Sequence, residues 1–249
     1  MSPESKKQIK ELTSLAQESI MLSKKAVALA LGNNISTSVS AQFRHTTYAT
    51  LYKNCGVQLI STTCPAYVVA STAVPADFFS VDSNIQLRGD KENGVQKFGN
   101  IQFRNFQQQM NLVHHDTHKV PFFANGDQPD IVFCPPNFVA NQMVAVSALE
   151  WKRYPEQETV AFDSEEKGQA ISYAQLILDA QKWRSHALVC ICNLECFQCF
   201  EAKRLDGELR AYEYQAVRFG ALGRNILWGI VTASADSLGF VIEGSSMPC

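Results

Sequence analysis

The chain has 249 residues, 46% of them hydrophobic and 18% charged, with a formal net charge of −2. That length suits one large domain or two small ones; no apolar stretch is long enough to span a membrane, and the balance of charge gives no bulk basic signature for nucleic acid. The start, Met1-Ser2-Pro3-Glu4-Ser5-Lys6-Lys7, lacks the apolar core of a signal peptide, so an intracellular location is expected, the nucleus included. Positive charge gathers at the front, where residues 1–60 hold seven Lys/Arg against three Glu. Such a cluster is either a solvated face or a basic arm that meets phosphates.

In chain order, the first predicted element is a helix over 4–31. Ile9, Leu12, Leu15, Ala16, Ile20 and Leu22 recur at helical spacing, and Gly32-Asn33-Asn34 stops it. Residues 35–128 read as an elaboration. Val39 to Tyr52 fits a helix or a strand, 57–61 and 67–70 suggest short strands, and Arg88 to Gly94 reads as an exposed turn or loop. Phe103, Phe106, Met110 and Val113 predict a helix over 98–113. From Asp130 the pattern sharpens into a strand over 130–134, a strand over 144–152, and a helix over 165–183 capped by Asp163-Ser164. A strand pair over 187–200 and an Asp206-Gly207 turn follow. The apolar, Gly-punctuated stretch 220–249 reads as a strand or helix completing the core. No internal repeat or linker divides the chain, so a single domain over 1–249 is expected. The order strand, strand, helix, strand fits an α/β architecture: a mixed sheet with helices on its faces.

The residues that suit chemistry are Asp130, Glu150 and Lys152. Residues two apart on a strand share a face, so Glu150 and Lys152 point together while Trp151 goes to the other side. A hairpin between 130–134 and 144–152 brings two carboxylates and an ammonium to one sheet edge. Asp130 and Glu150, with the backbone carbonyl of Trp151, then form a hard-oxygen site for Mg²⁺ or Mn²⁺, and Lys152 orients or helps deprotonate the attacking water and screens charge. The bland reading of Glu-x-Lys on a strand is a simple salt pair.

Two other clusters need weighing. Cys190, Cys192, Cys196 and Cys199 have the look of a zinc knuckle, yet they sit in runs that read as buried strands, where small apolar Cys is common. His114, His115, Asp116 and His118 suit either a transition metal or a polar loop that binds nothing, and Asp127 lies close to the acidic site in sequence. No G-x-S-x-G, H-E-x-x-H or phosphate-loop motif is present.

The string Pro129-Asp130, Glu150-Trp151-Lys152 and Gln169-x-x-x-Tyr173 resembles the PD-(D/E)XK phosphodiesterase superfamily, with its restriction-endonuclease-like fold. The Gln-x-x-x-Tyr helix and the strand pair after it look most like the nuclease-type domains of Crinkler effectors and of fungal kinase-associated segments. The resemblance covers residues 129–205. It implies metal binding by Asp130 and Glu150, a catalytic Lys152, and Gln169 and Tyr173 supporting the site or touching the nucleic-acid backbone. It also implies an acid from an upstream helix, for which Glu11 and Glu18 are the candidates, and DNA or RNA as substrate. The alternative is a catalytically inactive nuclease-like module kept as a binding or effector platform, which the net charge of −2 favours.

Overall fold

The computed structural model describes residues 47–68, 70, 72–80, 92–155 and 161–241, all within a compact unit spanning Thr46–Cys249. The expected helix over 4–31, with Glu11 and Glu18, lies outside the described residues. Among the described residues no helix is long and apolar enough to cross a membrane.

The protein is α/β, built on a mixed eight-stranded sheet flanked by helices and not closed into a barrel. After a helical stretch at 47–54, the elements are β1 (Gln58–Ile60), α1 (Glu92–Phe106), β2 (Val113–Asp116), β3 (Ile131–Cys134), β4 (Ser147–Trp151), α2 (Ser164–Ala180), β5 (His186–Cys192), β6 (Cys196–Leu205), β7 (Glu208–Tyr214), β8 (Val217–Arg218) and α3 (Ala221–Thr232). The strand order is β1-β7-β6-β5-β4-β3-β2, with β8 beside β6. The pairs β1/β7 and β4/β5 are parallel and the others antiparallel.

Two layers of apolar side chains sandwich the sheet. On one face Val132, Ala148, Val189, Ile191 and Phe200 lie against Ile171, Ala174, Ile177 and Leu178 of α2. On the other face Phe133, Leu149, Trp151 and Phe197 meet Val95 and Phe103 of α1 and Leu227 and Val231 of α3. Because both faces are covered, β3, β4 and nearly all of β5 are buried along their length, as strands between two helical layers must be. The parallel neighbours β4 and β5 cannot be joined by a tight turn, and α2 is the crossover between them.

Local chemistry fixes several ends. Asp163 caps α2 by accepting from the backbone N–H groups of Glu165 and Glu166, while the Glu166 carboxylate accepts from the Asp163 N–H, a reciprocal capping box. The helix stops at Ala180, short of the expected 183. There the Gln181 amide turns inward to donate to the carbonyls of Gln142 and Ala145, at 3.0 and 2.8 Å. Buried Arg184 then donates to the carbonyls of Ala145, Val146, His186 and Leu238. The β6–β7 hairpin turns on Asp206 and Gly207, both with positive φ, the geometry a two-residue turn needs to match the twist of its strands.

Three expectations are corrected. Glu92, Asn93 and Gly94 are not loop but the first turn of α1. Val113 does not continue that helix; it opens β2, which includes His114, His115 and Asp116. Residues 66–67 form a turn, and Val68 joins no strand. In each case a short ambiguous run was settled by its neighbours: Val113–Asp116 pairs with Ile131–Cys134 along the sheet edge. The stretch after 220 is helical over Ala221–Thr232.

Gly99 marks the tightest contact between α1 and the sheet. A Cβ there would lie 2.3 Å from Cζ2 of Trp151, and that ring is fully buried between Phe79 and Phe103. Gly99→Ala is therefore expected to lower stability by about 1–3 kcal/mol through overpacking, read as a reduced urea midpoint with an unchanged slope; a midpoint equal to the parent's would show that the helix can back away at no cost.

Candidate active site

Strand register places the acids. Ile131 faces Leu149, Val132 faces Ala148 and Phe133 faces Ser147, so the next step along the ladder sets Asp130 opposite Glu150. The two residues lock together. Asp130 Oδ2 accepts from the Trp151 N–H at 2.7 Å, and Glu150 Oε2 accepts from the Asp130 N–H at 3.3 Å. Trp151 drives its ring into the opposite core, leaving Glu150 and Lys152 on the other face, with Lys152 Nζ donating to Glu150 Oε1 at 3.1 Å. In extended backbone the N–H and C=O of one residue point to the same side. The Trp151 carbonyl therefore faces the same edge as the N–H that Asp130 engages.

Helices from both faces reach this end of the sheet. From α2, Gln169 accepts from Lys152 Nζ at 2.7 Å and donates to the Tyr173 hydroxyl at 2.8 Å, which in turn donates to the Gln128 carbonyl at 3.1 Å. Gln169 and Tyr173 are one turn apart and so share a helix face. Tyr173 is buried and stacks on Phe123, so it holds Gln169 in place and is not a surface on which a substrate lies. From α1, Gln96 donates to Asp130 Oδ1 at 2.5 Å, and Glu92, one turn earlier, adds a third carboxylate. Ligand oxygens of Glu92, Asp130 and Glu150 all lie within 4.8 Å of one another.

Sequence reasoning missed Glu92 and Gln96. The four-residue spacing Glu92, Gln96, Asn100 was available as a signal, but Gly89, Asp90, Asn93 and Gly94 made the segment read as a turn.

The electrostatics follow from burial and crowding. Asp130 is 6% and Glu150 3% exposed. Burial, then the charge of Glu150, pushes the Asp130 carboxyl well above the ordinary range, against the pull of the Trp151 N–H. Burial also raises Glu150, opposed chiefly by Lys152. Burial works against the charge on Lys152, but Glu150, Glu92 and Asp130 together outweigh it and hold the ammonium above the usual lysine range. Lys152 is paired as an ammonium with Glu150 in this structure.

The remaining candidates separate. Asp127 turns back on Asn125, accepting from its amide at 2.9 Å. His114 packs on Phe103 and bonds Gln107, and burial lowers its pKa to about 4. His115 alternates to the other face of β2, and His118 pairs with Asp116, so the imidazoles do not converge. Nor do the cysteines. Cys190, Cys192 and Cys199 lie in one core layer and Cys196 in the other, so the four thiols face two sides of the sheet and do not close on one tetrahedral ion.

Residues 92–184 match a family model described as a domain of unknown function, DUF6826. The matched segment begins at Glu92 and contains Gln96, Asp130, Glu150, Lys152, Gln169 and Tyr173. No curated protein and no solved structure matches the chain.

The crowding has a measurable consequence. A carboxyl whose folded pKa exceeds its unfolded value opposes folding once ionised. The penalty is absent below the ordinary carboxylate range, grows as pH rises through it, and is complete above the raised value. Asp130→Asn removes one charge, and a flipped Gln96 amide can still satisfy the new side chain. In EDTA near about pH 8 the variant is expected to melt higher, by about 2–4 °C per kcal/mol of repulsion relieved, with the gain shrinking as pH is lowered. A gain that is independent of pH, or a lower midpoint, would contradict the crowding.

Proposed function

We propose that this chain is a metal-dependent nuclease that hydrolyses phosphodiester bonds of DNA or RNA. The observation that carries the reading is the convergence of three carboxylates and one largely buried ammonium at the end of a sheet, with ligand oxygens of the acids all within 4.8 Å of one another. A divalent cation relieves their mutual repulsion. The donor set suits a hard one: carboxylate oxygens from Glu92, Asp130 and Glu150, with the Trp151 carbonyl on the same edge. Mg²⁺ or Mn²⁺ bound there would supply Lewis acidity and lower the pKa of a bound water.

The residues of the chain divide the remaining work. Asp130 is held by the Trp151 N–H and by Gln96, and Glu150 by the Asp130 N–H and Lys152, so a phosphate meets a preformed site. Lys152 uses two of its three N–H donors on Glu150 and Gln169. The third can meet a phosphate oxygen or orient the attacking water, and the fixed positive charge offsets negative charge built up at phosphorus. Gln169 and Tyr173 are positioning residues, because Gln169 holds Lys152 and Tyr173 holds Gln169. The net charge of −2 favours the second reading, a nuclease-like module that binds without cleaving.

The test is cleavage of labelled DNA and RNA with Mg²⁺, Mn²⁺ or EDTA. Activity is expected with either ion and none in EDTA, with a fall of about a hundredfold or more in Glu150→Gln and Lys152→Ala and a similar loss in the exposed Glu92→Gln. Saturating metal should also raise the melting temperature of the parent protein, as any ligand of the folded state does. Cleavage that survives in Glu150→Gln would overturn the assigned site. Absence of cleavage with every divalent ion, together with no metal-induced rise in melting temperature, would select the binding module.

A further inference from the structure

Beside the acidic site a second pocket of about 390 Å³ opens between α1 and the end of β2. The two share a wall, since Gln96 lines the pocket and also donates to Asp130. Its rim differs in charge from the acidic site. Lys97, Arg104 and Lys119 are exposed around it, and none has an ion-pair or hydrogen-bond partner among the described residues. The single acid in the lining, Asp116, is already engaged: it accepts from the Asn100 amide at 2.7 Å and pairs with His118 Nδ1. Three unpaired cations therefore face the space against one compensated carboxylate. Asn100 is 5% exposed, and its amide oxygen has no hydrogen-bond partner among the described residues. A buried acceptor of this kind normally finds a donor.

Glu92, Gln96, Asn100 and Arg104 follow at four-residue steps along one stripe of α1. The helix rises about 1.5 Å per residue, so Gln96 to Arg104 spans about 12 Å. A stacked strand advances about 3.4 Å per nucleotide, so the stripe covers the few nucleotides next to whatever occupies the acidic site. We infer that this pocket seats a backbone phosphate of the same polynucleotide strand, gripped by Lys97, Arg104 and Lys119, with the Asn100 oxygen accepting from the sugar or base of that nucleotide. The inference rests on the nuclease reading and extends it: α1 offers its first turn to the bond being cut and its later turns to the flanking strand. It also accounts for substrate affinity in an acidic protein, because the cations are concentrated in the track.

The test compares the full-length parent with the triple variant Lys97→Ala/Arg104→Ala/Lys119→Ala in steady-state cleavage of a short labelled single-stranded oligonucleotide across a range of salt. KM is expected to rise about tenfold or more with kcat within about twofold, and the slope of log affinity against log salt to fall by about 0.7, since one phosphate contact contributes about that much on a single strand. The rise in melting temperature with Mg²⁺ should stay as in the parent. Should the triple variant fold poorly, Arg104→Gln alone should raise KM in the same direction and lower the salt slope by a part of that amount. Unchanged KM and salt slope in a variant that still cleaves would overturn this pocket's role and leave the nuclease reading intact. A parent that cleaves nothing under any divalent ion would overturn both.

Discussion

The reciprocal pair of bonds between Asp130 and the segment Glu150–Trp151 is the constraint on which the candidate site depends. Each residue's carboxylate accepts from the other segment's backbone N–H, so the register that closes the β3–β4 hairpin also sets the separation of the acids. A slip of one residue would turn every side chain of β4 to the other face, sending Trp151 toward α2 and Glu150 into the aromatic layer. The buried Trp151 ring therefore guards the geometry of the site from the far side of the sheet.

Positioning is shared between the two helical layers. The helix α2 is the obligatory crossover between parallel β4 and β5, and its first turns pass directly above the end of β4. Gln169 and Tyr173 thus reach Lys152 as a consequence of topology. The helix α1 arrives from the opposite layer, brought close because Gly99 lets the backbone approach Trp151. One face accordingly supplies the partners of the cation, the other a third carboxylate and the amide that holds Asp130. Glu150 joins the two sets, since it shares a face with Lys152 and pairs with it at 3.1 Å while its oxygens lie near those of Asp130 and Glu92.

The stability of so charged a site is supported by its surroundings. The acids sit at the end of strands whose central residues are fully buried between two apolar layers, and buried Arg184 ties the β3–β4 loop to the start of β5 through backbone carbonyls. Repulsion among the carboxylates is a local cost that the sheet around them outweighs, as strained or charged functional sites generally require.

Much of this was legible in the residues themselves. The unbroken apolar run after Asp130 is a direct image of a strand with two covered faces, and the β3–β4 hairpin, the shared face of Glu150 and Lys152, the capped helix with Gln169 and Tyr173, and the Asp206-Gly207 turn could all be read locally. The strand reading of the cysteine run was legible too, and alternation along β6 puts Cys196 and Cys199, three residues apart, on opposite faces. What the tertiary structure decided was everything that joins segments distant in the chain. Glu92 looked like a turn residue until packing of Val95 and Phe103 on the sheet made its segment helical, and Val113–Asp116 became a strand because an exposed edge of β3 was there to pair with it. Local pattern reports how a segment meets its nearest surroundings; which carboxylates share a space is set by the packing of elements that the sequence keeps apart.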